Sequence, residues 1–183
     1  MSKEMKNPKA KGSGYEREVG EKISLWLSHG EHKHLLCRTV GSGAQFTTSA
    51  KKMIQAGQAG DLMAQDEKAF AFFEKVIIEA KFWKDLQLIR FLAEEGELYA
   101  ALLKVKRESE QVGKKWFLIC RQNRRNDLLF IPAEAFNSYW YSRIKWHSLF
   151  SGTVYMFLLK DFLGVVEPEI FINQQRELLP QRA

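Results

Sequence analysis

Two short runs, GDLMAQ at residues 60–65 and AFFEKVIIEAK at residues 71–81, decide the reading of this chain. Both are apolar stretches bounded by turn-forming residues, and the polar turn Asp66-Glu67-Lys68 lies between them, so they read as two neighbouring antiparallel strands. Side chains alternate faces along a strand, which puts Ile77, Glu79 and Lys81 on one face and Val76, Ile78 and Ala80 on the other. A carboxylate and an ammonium therefore emerge side by side. An antiparallel pairing brings Asp61, at the start of the preceding strand, toward Glu79.

Carboxylate oxygens are the ligands that Mg²⁺ prefers, one or two of them with water and substrate phosphate completing its octahedron. A metal held there lowers the pKa of a coordinated water and offsets charge developing on a phosphate under attack. A lysine beside that water orients it or stabilises the transition state. Taken alone, the same residues have a plainer reading: Asp61 as a turn residue after Gly60, and Glu79 with Lys81 as a solvated pair at a strand edge. Their company favours the first reading, because FFEKVII is a strongly apolar approach and a Gly-rich, basic segment lies just upstream.

Working outward, Ser13 fits an N-cap with Glu16 three residues on, and Tyr15, Val19, Ile23 and Trp26 recur at helical spacing, so a helix runs from Ser13 to near Gly30. Residues 35–40 (LLCRTV) read as a strand, followed by twenty residues rich in Gly, Ser, Thr and Gln, a long loop of the kind that contacts substrate. A helix capped by Asp85 carries Leu86 to Val105, with a break expected at Gly96 and an end before Gly113. Residues 116–120 (WFLIC) and 128–131 (LLFI) read as strands flanking the basic turn RQNRRND. Pro132 is expected to start a helix carrying Phe136, Trp140 and Ile144, and VYMFLL at 154–159 is a further strand, with a tail interrupted at Pro168. Between Phe136 and Phe162 nine residues are aromatic, so this region packs either into the core or against a partner subunit. The order of elements implies an α/β layer structure, a central mixed sheet flanked by helices.

The chain has 183 residues, 45% of them apolar and 13% aromatic, enough for a buried core and too much for a disordered chain. Lys and Arg number 28 against 22 Asp and Glu, a net charge of +6 that favours a phosphate-bearing partner. Cys37 and Cys120 lack metal or redox spacing and read as reduced thiols. No apolar leader and no membrane-spanning stretch is seen, so a cytoplasmic protein without membrane contact is expected. His29, His32 and His34 lie close together, but nothing at ligand spacing completes a zinc site, and a solvated turn is the favoured reading. P-loop, dinucleotide and Ser/His/Asp patterns are absent from their required contexts.

Asp61 followed by Glu79-Ala80-Lys81 resembles the signature of the PD-(D/E)xK nuclease superfamily, with Gly60 where that motif often has Pro. KGSGYEREV, CRTVGSG, GDLMA and VIIEAK together resemble the Holliday-junction-resolvase-like nucleases, most of all those of phages and prophages. The likeness covers residues 11–81 well and KKWFLICRQNRRNDLLFI more loosely. It implies a restriction-endonuclease-like core in one nuclease domain, residues 13–183, with the catalytic core over about 13–131, an aromatic-rich part over 132–183 and a flexible basic arm at 1–12. It further implies Asp61 as the central metal ligand, joined by Glu16, Glu79 and the Ala80 carbonyl, with Lys81 catalytic. The helical face supports Glu16 over Glu18: Glu16 lines up with Gly20, Ile23 and Leu27 at the border of the apolar stripe, and Glu18 with Glu21, Lys22 and Leu25 toward solvent.

The resemblance also implies that Arg38 and Ser42, with Gly41 and Gly43, are loop residues that approach the scissile phosphate. Lys51, Lys52, Lys114, Lys115, Arg121, Arg124 and Arg125 are candidate phosphate contacts, supplying affinity without sequence reading. The expectation is an endonuclease using Mg²⁺, with Mn²⁺ able to substitute, that acts on branched or junction DNA as a homodimer, in a bacterial host's cytoplasm if phage-encoded. A nuclease of the same fold with another DNA target, and a DNA-binding protein that has lost catalysis, are the alternatives.

Overall fold

The computed structural model describes residues 8–39, 59–136 and 142–172. A first helix, α1 (Pro8–Leu27), buries Tyr15, Val19, Ile23 and Trp26 on one stripe, as their spacing requires. It begins ahead of Ser13, so the segment read as a basic arm is helical from Pro8 onward. Two three-residue strands follow, β1 (Leu36–Arg38) and β2 (Leu62–Ala64), paired antiparallel with Cys37 opposite Met63.

Residues 67–73 are helical, not extended. Asp66 Oδ1 accepts from the Lys68 amide at 2.9 Å and starts a 3₁₀ turn (Glu67–Ala69) that leads into α2 (Phe70–Phe73). This run does not alternate polar and apolar residues, and the helical turn buries Phe72 among Trp26, Phe117 and Phe171. The strand expected over 71–81 accordingly starts later, as β3 (Val76–Trp83).

After β3 come α3 (Leu88–Leu92), α4 (Gly96–Val112), β4 (Lys115–Gln122) and β5 (Asp127–Pro132), close to the sequence reading, the helical break falling just before Gly96. The helix expected from Pro132 is absent from the described residues there. Pro132 ends β5 opposite Val154, a 3₁₀ turn (Ala133–Ala135) follows, and residues 137–141, including Trp140, lie outside the described part. Strands β6 (Trp146–Leu149) and β7 (Val154–Leu158), then α5 (Leu159–Val165) and α6 (Glu169–Ile172), complete the described chain. β6 was hidden in the sequence because its WHSL carries no apolar alternation.

The five-stranded sheet has the order β3-β4-β5-β7-β6, with β3 and β4 parallel and every other pair antiparallel, a mixed sheet with helices packed on it. On one face Val76, Ile78 and Ala80 of β3 join α1 and the C-terminal aromatics; on the other Ile77 joins Leu98, Leu102 and Val105 of α4. Of the aromatic-rich C-terminal part, Phe157, Phe162 and Phe171 are core residues, and the Trp26 indole donates to the Val166 carbonyl at 2.6 Å. Among the described helices none is long and apolar enough to cross a membrane. Both cysteines are free, Cys120 buried and Cys37 half-buried.

Candidate active site

β2 does not ladder onto β3 as expected; the two meet through one residue. The Asp61 amide donates to the Ile78 carbonyl at 2.8 Å, and its carboxylate Oδ2 accepts from the Ala80 amide at 3.0 Å. Asp61 thus binds the outer edge of β3 with both main chain and side chain, while its own carbonyl accepts from Thr39 of the β1 end at 3.0 Å. Gly60 permits this approach. Its φ is +88°, and a Cβ there would lie 2.5 Å from the Ile78 carbonyl oxygen. Proline, confined to φ near −65°, could not adopt this backbone, which accounts for glycine at the position where the motif often has proline.

This docking gathers the expected residues at one end of β3. Lys81 Nζ lies 2.7 Å from Asp61 Oδ2 and 2.7 Å from Glu79 Oε1. Asp61 and Glu79 are buried, Glu79 with no exposure at all. Burial acts to lower the Lys81 pKa, but the Glu79 and Asp61 carboxylates outweigh it and hold the ammonium charged well above the ordinary lysine range. Glu16, on α1, is buried and ion-paired with Arg38 of β1. Burial raises its pKa against the pull of Arg38, with Asp61 and Lys81 also acting on it, so its helical face is the one turned to the site.

Two residues that the sequence did not single out join from α4. Lys104 Nζ lies 2.7 Å from the same Glu79 Oε1, and Glu108, one turn on, is 3.5 Å from Lys104. Burial lifts the Glu108 pKa, opposed by Lys104 and assisted by Glu79 and Asp61. The other oxygens, Glu79 Oε2 and Glu108 Oε2, are buried without a hydrogen-bond partner. A buried carboxylate oxygen lacking any donor is a group waiting for a cation, and hard oxygen donors of this kind suit Mg²⁺ or Mn²⁺. The residues therefore fit a divalent ion, with Asp61 and Glu79 as the pair that would hold it. Among the described residues, three ligand-type atoms come within 4.8 Å of one another only at the exposed set His29, Glu167 and Glu169, away from this site. At the β3 end Arg38, Lys81 and Lys104 instead sit on the carboxylates and offset their mutual repulsion.

The candidate DNA contacts divide. Arg121 is committed to the protein: its guanidinium grips Asp127 at 2.6 and 2.8 Å and Glu18 at 2.5 and 2.8 Å, 5.0 Å from the Tyr15 ring centroid. Lys22 (2.6 Å) and the Tyr15 hydroxyl (2.9 Å) also donate to Asp127. Burial would raise the Asp127 pKa, yet these partners hold it below the usual carboxylate range. Glu18, though its side chain is partly exposed, thus fastens α1 to Arg121 of β4. Arg124 and Arg125 are exposed on the turn between β4 and β5. Lys114 donates to the Phe73 carbonyl at 2.7 Å. Ser42, Lys51 and Lys52, with Gly41 and Gly43, lie outside the described residues. A cavity of ≈ 340 Å³ between α1 and β1 opens beside Glu16 and Arg38 and is also lined by Arg17, Lys33 and His34, which isolated positions in the sequence gave no reason to group.

A mixed sheet whose edge strand carries E-x-K, with an aspartate docked on it from the preceding strand, is the arrangement of a PD-(D/E)xK nuclease. The family model described as phage putative PDDEXK endonuclease matches residues 7–156, and the chain belongs to that family. No curated protein and no solved structure matches it.

Proposed function

We propose that this protein hydrolyses DNA phosphodiester bonds with Mg²⁺, Mn²⁺ substituting, at the site formed by Glu16, Asp61, Glu79, Lys81 and the Ala80 carbonyl. The observation that carries the reading is the Lys81 ammonium, 2.7 Å from both Asp61 and Glu79: three residues from two segments meet at one point beside a buried, donorless carboxylate oxygen. A purely structural ion pair would not need a second buried carboxylate whose free oxygen faces no donor. The divalent ion would neutralise the phosphate and acidify the attacking water. Asp61 and Glu79 would hold that ion, Lys81 would stabilise negative charge on the attacked phosphate, and Arg38 pairs with Glu16 beside them.

Arg38, Arg124 and Arg125, with Ser42, Lys51 and Lys52, supply phosphate contacts, and Arg17 and Lys33 extend that path along the α1–β1 cavity. The substrate is branched DNA of the four-way-junction kind. KGSGYEREV, CRTVGSG and VIIEAK support this through their likeness to junction resolvases, and the homodimer follows from the need for two active sites to make two symmetric cuts.

The test is cleavage of a four-way junction, a fork, a duplex and a single strand, each with Mg²⁺ and with chelator. Junction cutting that needs the metal, and loss of cutting in Asp61→Asn with DNA affinity within a few-fold, is the expected result. An Asp61→Asn protein that keeps a tenth or more of the wild-type rate refutes the site. Preferential duplex cutting moves the substrate to a duplex target, and binding of every DNA without cutting any refutes catalysis.

A further inference from the structure

We propose that Lys104 is a fixed second cation of this site, occupying on Glu79 the place that a second divalent ion would take, so that each chain works with a single bound ion. The inference rests on the nuclease reading and specifies its metal requirement.

Strand alternation turns Glu79 toward the sheet face that α4 covers, and α4 is held there by Leu98, Leu102 and Val105 packed with Ile77. Lys104, next to the fully buried Val105, is thereby fixed at the border of that apolar face, where its ammonium meets Glu79 Oε1 at 2.7 Å. Lys81 donates to the same oxygen, also at 2.7 Å. One oxygen of a completely buried carboxylate is therefore shared by two ammonium groups, while the other oxygen has no donor. Glu108, 3.5 Å away on the next turn, pairs with Lys104 as well.

The charges at the site support a single ion. Glu16, Asp61, Glu79 and Glu108 face Arg38, Lys81 and Lys104, four formal negative charges against three positive. One divalent ion and one phosphodiester bring the total to zero. A second ion would leave two unbalanced positive charges in a largely buried site, which is strongly unfavourable at low dielectric. Lys104 supplies on Glu79 the positive charge that two-ion nucleases obtain from the second metal.

Mn²⁺ titration followed by electron paramagnetic resonance, without DNA, separates this from a merely structural lysine. Wild type is expected to bind one Mn²⁺ per chain. Lys104→Met, with an ammonium beside the ion removed, is expected to bind its ion about tenfold more tightly yet cleave at least tenfold more slowly in single turnover, and Lys104→Arg to resemble wild type in both. A structural role would weaken metal binding and cleavage together. Two Mn²⁺ per wild-type chain, or Lys104→Met with unchanged affinity or unchanged rate, overturns the proposal. Wild type that binds no Mn²⁺ and cuts no DNA refutes the nuclease reading instead. Lys104→Gln replaces Lys104→Met if circular dichroism shows the latter unfolded.

Discussion

Replacing Gly60 by alanine tests the docking of Asp61 on β3 without touching any charged group. A Cβ at Gly60 would stand 2.5 Å from the Ile78 carbonyl oxygen, and 3.1 and 3.2 Å from the Ile78 carbonyl carbon and amide nitrogen, all of them backbone atoms inside a sheet that cannot swing away. The φ of +88° adds about 1–2 kcal/mol for any residue with a side chain. Relief of the clash moves the chain off β3 and weakens the bonds from the Asp61 amide to Ile78 and from the Ala80 amide to Asp61, roughly 1 kcal/mol each. The total is a loss of about 3–4 kcal/mol, read as a lower urea midpoint. Cleavage should fall further than stability accounts for: a carboxylate displaced by about 1 Å costs on the order of 10²-fold, even where the protein is fully folded. Gly20→Ala is the matched control, since its Cβ would meet only Leu62 and Leu36 at 3.8 and 3.9 Å, ordinary contact distances in a helix that gains from alanine. Gly60→Ala with a urea midpoint and a cleavage rate close to those of Gly20→Ala would refute the reasoning.

Glu16→Gln should slow cleavage far more than Glu18→Gln, whereas Glu18→Gln should lower the melting temperature by loosening α1 from Arg121; equal kinetic effects would place neither at the metal site. Asp127→Asn should cost about 3 kcal/mol at pH 7, because it breaks a buried pair. Since the folded Asp127 pKa is depressed, its stabilisation is present above the unfolded pKa and is lost as pH falls through the folded one, so the gap between variant and wild type should close in acid; a gap constant to low pH contradicts the assignment. Arg124→Ala with Arg125→Ala should weaken binding to all DNA shapes alike and flatten the slope of log affinity against log salt by up to about two units. An unchanged slope takes that turn out of the DNA path.

The elements placed well from sequence are those whose pattern is local. VIIEAKFW is rich in β-branched residues, and Tyr15, Val19, Ile23 and Trp26 recur at helical spacing, so β3 and α1 were recognised as a strand and a helix although each begins at a different residue from the one expected. The misreadings share a cause. AFFEK is apolar enough for a strand, and only the aromatic cage of Trp26, Phe117 and Phe171 around Phe72 decides that it coils. Pro132 can open a helix as well as end a strand, and the choice belongs to β7, which arrives from 22 residues further on to pair Val154 with it. Arg121 looked like a phosphate ligand beside Arg124 and Arg125. Strand alternation alone could have separated it from them, but Glu18, 103 positions away, is what fixes its role.

By itself, then, the sequence determined the chemistry available: an aspartate, an E-x-K strand, a first-helix glutamate and the family those imply, because motif spacing and side-chain period are properties of neighbouring residues. Tertiary structure decided which charges meet. It set Lys81 between Asp61 and Glu79, brought Lys104 onto Glu79 from a helix more than twenty residues later with Glu108 beside it, and turned Arg121 inward. Such meetings depend on how helices and strands pack across the sheet, and a buried charge must find a partner wherever the fold supplies one, near in the chain or not.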